Sequence, residues 1–354
     1  MQSATQVTQV GQGPGTLPPP ISIYLANDSD EECREVLANK ESLFQNDGLW
    51  PFAPDMVARL PCTKFRITKW THGYVPRACV RELASRVGSY SAKDPSVVNV
   101  TYTDCDTPWV FCNHPQSRMR DSDMAEQFGR LPVKMRSHVR HVMGLPRGPI
   151  ETCEAYSNFD GDIVFLGVPI HPVTFAAVWV HEVAHSIDSI TFWQDEEFSA
   201  TEKWLTAVEK DSAVPTDYAT TNQTENFAEN FVLALYVRTG GVIPKDKWNK
   251  IKWQQKAIVD KYGDVLDPNG TCSSRKRAIC DEIICVYPDS WLHTKGPYSL
   301  AQVLAKSDTV GEDHHTQKDL GENGKRTTRP SRILPILKKL SRYSTHWDGQ
   351  PKTA

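Results

Sequence analysis

The chain has 354 residues, 39% of them hydrophobic and 23% charged, enough to bury a full core as one large domain or two small ones. A net charge of −3 gives no global attraction to nucleic acid or to an anionic membrane, so no nucleic-acid partner is expected. No apolar run approaches the length needed to span a bilayer, and stable membrane insertion is not expected.

Residues 1–20, ending in Leu17-Pro-Pro-Pro20, read as a disordered leader that lacks the basic and apolar regions of a signal peptide. Globular composition starts at Ile21, and residues 21–150 read as the N-terminal part of a globular domain. Ser29 to Asn39 reads as a short helix and Pro61 to Trp70 as a strand. Pro76 to Tyr90 is an amphipathic helix with Cys79, Val80, Leu83 and Val87 on one side. Val98, Val100 and Tyr102 alternate with polar residues, the period of a half-buried strand. Cys105 and Cys112 flank a short apolar strand, Trp109 to Phe111, and a local bridge between them is expected. Arg130 to Met143 suggests a helix with His138 and His141 as a surface pair among basic residues.

Residues 151–305 carry the densest pattern. Ile163 to Leu166 is an apolar run between the turn Asp160-Gly-Asp162 and Gly167, expected to form a strand that leads into the main helix. From Pro172 to Ile190 nothing breaks a helix, and within it lies His181-Glu182-Val183-Ala184-His185. Residues four apart share a helix face, so both imidazoles point one way and form half of a Zn²⁺ site. Glu182 can reach a water on that metal and take its proton as the water attacks a carbonyl. Glu197 to Lys210 is a further amphipathic helix with a Ser199-x-x-Glu202 capping box. A loop follows, broken by Pro215. Asn222 to Thr239 is a helix stopped by Gly240-Gly241, and Asp246 to Tyr262 another ended by Gly263. Cys272, Cys280 and Cys285 cluster around a last short helix. Residues 306–354 read as a disordered polar tail, with a short basic amphipathic segment from Arg332 to Arg342.

Nine cysteines without a C-x-x-C pair favour disulfides over a structural zinc site, with one thiol left over. Sequons at Asn27, Asn99, Asn222 and Asn269 also point to a secreted glycoprotein, although Asn222 is expected to be bare because a glycan there would stand near the cleft. Ten tryptophans are spread from Trp50 to Trp347, several at core spacing, and read as core packing rather than a sugar-binding platform.

Two histidines and an open position need a third protein ligand. On the helix from Asn222, Glu225 and Glu229 share a face; Glu225 would bind zinc, and Glu229 would accept the N–H of a ligand histidine. Asn222-x-x-Glu225 also reads as a capping box, which would explain Glu225 without a metal.

Tyr218, Glu225 and Phe227-Ala228-Glu229 together resemble the Tyr-x6-Glu-x-Phe-Ala-Glu pattern of lethal-factor-like metallopeptidases and Pro-Pro endopeptidases. Asp188 matches an acid in the active-site helix of those enzymes. The chain as a whole resembles the fungal conidiation-specific protein 13 family. The peptidase resemblance covers about residues 155 to 240 and implies zinc held by His181, His185 and Glu225. It further implies Glu182 as base, Glu229 and Asp188 behind the ligands, and Tyr218 as oxyanion donor. The strand Ile163 to Leu166 would be the edge on which an extended peptide pairs. Ala184 stands where those enzymes often have glycine. A competing third ligand is Asp217, since deuterolysin-like peptidases use aspartate; Asp217 is followed by Tyr-Ala-Thr-Thr, however, where those enzymes have Tyr-Gly.

The expected fold is therefore α+β, a zincin-like domain with an active-site helix, a second ligand helix and a small mixed sheet. The expected activity is hydrolysis of a protein or peptide substrate with one Zn²⁺ per chain. The alternative is a secreted zinc-binding protein without turnover, a surface or spore-associated component.

Overall fold

The computed structural model describes residues 36–272, apart from residues 46–47, 87–89, 92, 148–154, 159, 168–171 and 193–196, together with residues 283–285. The expected leader (1–20) and tail (306–354) lie outside these residues, as do the sequon at Asn27 and most of the last helix expected near Cys280.

The fold is mixed α+β around one small mixed sheet. Its strands are β2 (Phe65–Lys69), β4 (Ser96–Tyr102), β5 (Cys105–Asn113), β6 (His141–Leu145), β8 (Ile163–Leu166) and β7 (Ala155–Ser157), in that spatial order. β5, β6 and β8 run parallel, while β2, β4 and β7 are antiparallel to their neighbours. Parallel strands need cover on both faces, and the apolar runs of β6 and β8 are buried throughout. Ile163 and Phe165 point into the larger core, whereas Val164 and Leu166 join a smaller one on the opposite face. Helix α2 (Arg77–Ala84) covers the smaller core with Ala78, Cys79, Val80 and Leu83, and the Cys79–Cys112 disulfide ties it to β5. Gly161, at φ +80°, makes the turn between β7 and β8 where a side chain would be strained.

Helix α5 (Pro172–Phe192) covers the other face. It is buried on all sides from Ala176 to Ser189, as expected for a helix that is apolar around its circumference. Trp179 lies 4.2 Å from Phe165 between ring centroids, which anchors the helix to the sheet. On its far side α5 packs against α1 (Ala53–Arg59) and α7 (Gln223–Arg238). Helix α7 in turn packs on α8 (Lys245–Tyr262), while α6 (Glu202–Lys210) also contacts α8. An amide ladder holds α7 to α8: Asn226 donates to Gln254 at 2.9 Å, and Gln255 donates to Asn230 at 2.8 Å. These asparagines each follow a glutamate, Glu225 and Glu229. The Asn pair therefore fixes the rotation of α7 and turns the Glu pair towards α5.

Several expectations are corrected. No helix runs from Arg130 to Met143: α3 (Asp121–Arg130) ends at Arg130, Pro132 precedes the single turn α4 (Val133–Arg136), and β6 begins at His141. His138 and His141 are accordingly buried rather than on the surface; His141 Nδ1 lies 2.8 Å from Asp162 Oδ1. Cys105 and Cys112 do not bridge locally, because along one β-strand they are seven residues apart. Cys105 pairs with Cys272 instead, and Cys62 is a free thiol. β8 is not an edge, since β6 and β7 flank it; among the described residues the strands at the ends of this sheet are β2 and β7. Ser199 does not cap α6; Thr201 does, accepting from the Trp204 N–H at 3.4 Å. The helix expected over 76–90 ends at Ala84, and Ile283–Cys285 is a strand, β10, paired with β3 (Tyr74–Pro76).

Candidate metal centre

About one turn of α5, His181 to His185, and one of α7, Glu225 to Glu229, build the site. His181 and His185 project from α5 on one face, and their Nε2 atoms are 3.0 Å apart. Glu225 Oε2, from the first turns of α7, lies 3.1 Å from His181 Nε2 and 3.3 Å from His185 Nε2. Three donors therefore form a nearly equilateral triangle, the only such cluster of metal-ligating side chains among the described residues. Sides of this length suit donors sharing one small cation, with bonds of about 2.0–2.2 Å to imidazole nitrogen and carboxylate oxygen. Asn222 caps α7 by accepting the Glu225 N–H at 2.9 Å. The cap is therefore made by the Asn222 side chain on the backbone of Glu225, while the Glu225 carboxylate lies at the two imidazoles.

Behind the triangle, Glu229 Oε1 lies 3.1 Å from His181 Nδ1, and Glu229 Oε2 accepts the Thr216 hydroxyl at 2.9 Å. Such a contact orients the ring, directing the Nε2 lone pair at the centre. His181, Glu182, His185, Glu225 and Glu229 are all buried. Glu182 Oε2 makes no hydrogen bond, and burial raises the pKa of its carboxyl.

The charge balance fits a cation. Three buried carboxylates converge on two imidazoles, and buried charge is tolerated only when paired or metal-bound. Burial alone would depress the pKa of His181, yet Glu225 and Glu229 override it and raise it to about 10. Burial alone would raise Glu225, but His185 and His181 hold it down at about 2.

The profile of the Con-13 family, conidiation-specific protein Con-13, matches residues 49–322, which include every residue of this site. The chain belongs to the Con-13 family. It is similar to conidiation-specific protein 13 of Neurospora crassa, 27% identical over 298 residues that make up 82% of this chain and 81% of the relative. No solved structure matches the chain significantly.

In this Con-13 family chain the remaining expected residues fall in different places. Tyr218 is half-buried, its ring centroid 5.8 Å from that of His181. Asp217, the competing third ligand, is exposed and outside the triangle. Asp188 is buried and accepts the Ser199 N–H at 2.9 Å and the Ser199 hydroxyl at 2.6 Å. Burial, aided by Glu197, raises its pKa to about 7 against those two bonds. Its work is to hold the turn Phe198–Ala200 against α5. Thr216 escaped the sequence reading, and Ser199 was read there only as a helix cap, not as a partner of Asp188. No local pattern reveals either contact, because each acts on a carboxylate more than ten residues away.

Proposed function

We propose that this Con-13 family chain is a zinc-dependent metallopeptidase, with zinc held by His181, His185 and Glu225. The observation that carries this reading is the convergence of those three side chains beside a buried carboxylate, Glu182, one oxygen of which has no partner. Zinc bound there would supply Lewis-acid chemistry, acidifying a water and polarising a carbonyl. Glu182 takes the proton of the attacking water and delivers it to the leaving amine; its raised pKa suits that shuttle. The Tyr218 phenol donates to the developing oxyanion. Glu229 keeps His181 in the tautomer that offers Nε2. The antiparallel strand β7, at one end of the six-stranded sheet, is where an extended peptide would add a strand.

A second reading, zinc binding without turnover by a surface or spore-associated protein, draws on the burial of the centre. None of the three ligands is more than 4% exposed, as in closed structural sites. The presence of an acid at Glu182 favours the enzyme, since a purely structural site has no use for a base there. The disulfides Cys79–Cys112 and Cys105–Cys272 are compatible with secretion, and no described helix is long and apolar enough to cross a membrane.

The test is metal content by mass spectrometry together with cleavage of a peptide library by wild type and Glu182→Gln. One zinc per chain with cleavage lost in Glu182→Gln supports the peptidase. Zinc without cleavage by wild type selects the second reading, and no zinc overturns both.

A further inference from the structure

Thr216 lies outside the His-Glu motif and outside the helix that carries Glu225, yet its hydroxyl donates to Glu229, the carboxylate behind His181. It is 2% exposed and follows β9 (Ala213–Val214), which pairs in parallel with β1 (Glu41–Ser42). That pairing continues past the strand, where the Leu43 N–H reaches Val214 O at 3.0 Å and the Phe44 N–H reaches Pro215 O at 2.9 Å. The backbone at Thr216 is therefore held by a part of the chain remote from both ligand helices.

The direction of the hydrogen bonds at Thr216 is determined. Its Oγ1 accepts the Ala219 N–H at 3.2 Å, so its single proton is free to go to Glu229 Oε2, a carboxylate oxygen that can only accept. One hydroxyl thus joins two features of the centre. On one side it closes the turn that carries Tyr218; on the other it orients Glu229, which orients His181. A hydrogen bond of this kind fixes which carboxylate oxygen faces the imidazole and lowers the freedom of the ligand ring before the metal arrives.

Resting on the metal-centre reading above, we propose that Thr216 is a positioning residue that sets the zinc affinity of the site through Glu229 and places Tyr218 beside it. The hydroxyl, not the bulk, does this. Valine at 216 keeps the shape but leaves Glu229 Oε2 without its donor. Serine keeps the donor.

The test uses the full chain as wild type, Thr216→Val, Thr216→Ser, Glu229→Gln and the double variant Thr216→Val/Glu229→Gln. Zinc affinity is read by competition with a chromophoric chelator, and site geometry by the visible absorption of the cobalt(II) form. Thr216→Val should bind zinc about 10- to 100-fold more weakly with an altered cobalt spectrum, and Thr216→Ser should restore both. In the Glu229→Gln background the valine should add little, because its route to the metal is already cut. Should Thr216→Val fail to fold, Thr216→Ala against Thr216→Ser makes the same comparison. Wild-type affinity and an unchanged cobalt spectrum in Thr216→Val, or an equal loss in Thr216→Ser, overturn the role of Thr216 and leave the metal centre standing. A wild type that binds neither zinc nor cobalt overturns both.

Discussion

Nε2 of His181 stands 3.1 Å from Oε2 of Glu225, a residue forty-four positions later on a different helix. That approach turns a two-histidine motif into a three-donor centre. It depends on α5 being clamped to the sheet through Trp179 and on α7 being rotated by its amide ladder to α8.

Removing a corner of the triangle should remove the metal. His185→Ala and Glu225→Ala are each expected to lower zinc affinity by more than a hundredfold, a larger loss than the 10- to 100-fold typical of residues behind the ligands. Asp217→Ala should leave it unchanged, since Asp217 is exposed and outside the cluster. Zinc retained by Glu225→Ala but lost from Asp217→Ala would reverse the assignment of the third ligand.

Glu182→Gln should retain zinc, because Glu182 is not a corner of the triangle, while peptide cleavage falls about 10²- to 10⁴-fold. Single-turnover cleavage by the zinc-loaded variant checks this. Undiminished cleavage would remove Glu182 from the role of base.

Tyr218→Phe should leave zinc content and melting temperature near those of wild type and reduce kcat by about 10²-fold, with KM little changed. An unchanged kcat would mean that the phenol, 5.8 Å from the His181 ring between centroids, only lines the site.

Asp162, which is not one of the three clustered donors, should contribute to acid stability. It is fully buried; burial alone would raise its pKa, but Arg140, with bonds of 2.8 and 2.6 Å, and His141 at 2.8 Å hold the carboxyl well below the usual range. A depressed folded-state pKa means stabilisation that is fully present above the unfolded value, about 3.9, and is lost as the pH falls below it. Asp162→Asn should therefore cost about 3 kcal/mol at pH 7, the order seen when one partner of a buried pair is removed. Below pH 4 the gap to wild type should narrow. Urea unfolding at pH 7 and pH 3 measures it, and a gap that stays constant or widens in acid would refute the assignment.

Asn222 at the start of α7 is worth about 1 kcal/mol as a cap, and Asn222→Ala should lower the melting temperature while zinc affinity falls only slightly. A loss of zinc as large as that in Glu225→Ala would mean that the cap, rather than the α8 ladder, holds the ligand helix in place.

What the sequence determined by itself was local. Residues 172–190 lack a helix breaker, and apolar side chains surround the motif, so α5 and the shared face of His181 and His185 follow from the 3.6-residue period alone. The same reasoning reached α7 through its Asn222 cap and β4 and β8 through alternation or continuous apolarity. Only the tertiary structure decided the rest. The apolar run of β8 looks alike whether at an edge or inside a sheet, and its pairing with both β6 and β7 made it internal. Disulfide partners depend on distance in space, so Cys105 found Cys272 across the chain instead of Cys112 within its own strand. His141 went inside because Asp162, itself bonded to Arg140, meets it there, and Asp162 is twenty-one positions away in the chain. Likewise Glu225 could be a cap or a ligand on its own helix. It stands in the three-donor cluster because a second helix, packed against the first, brings two imidazoles to its carboxylate.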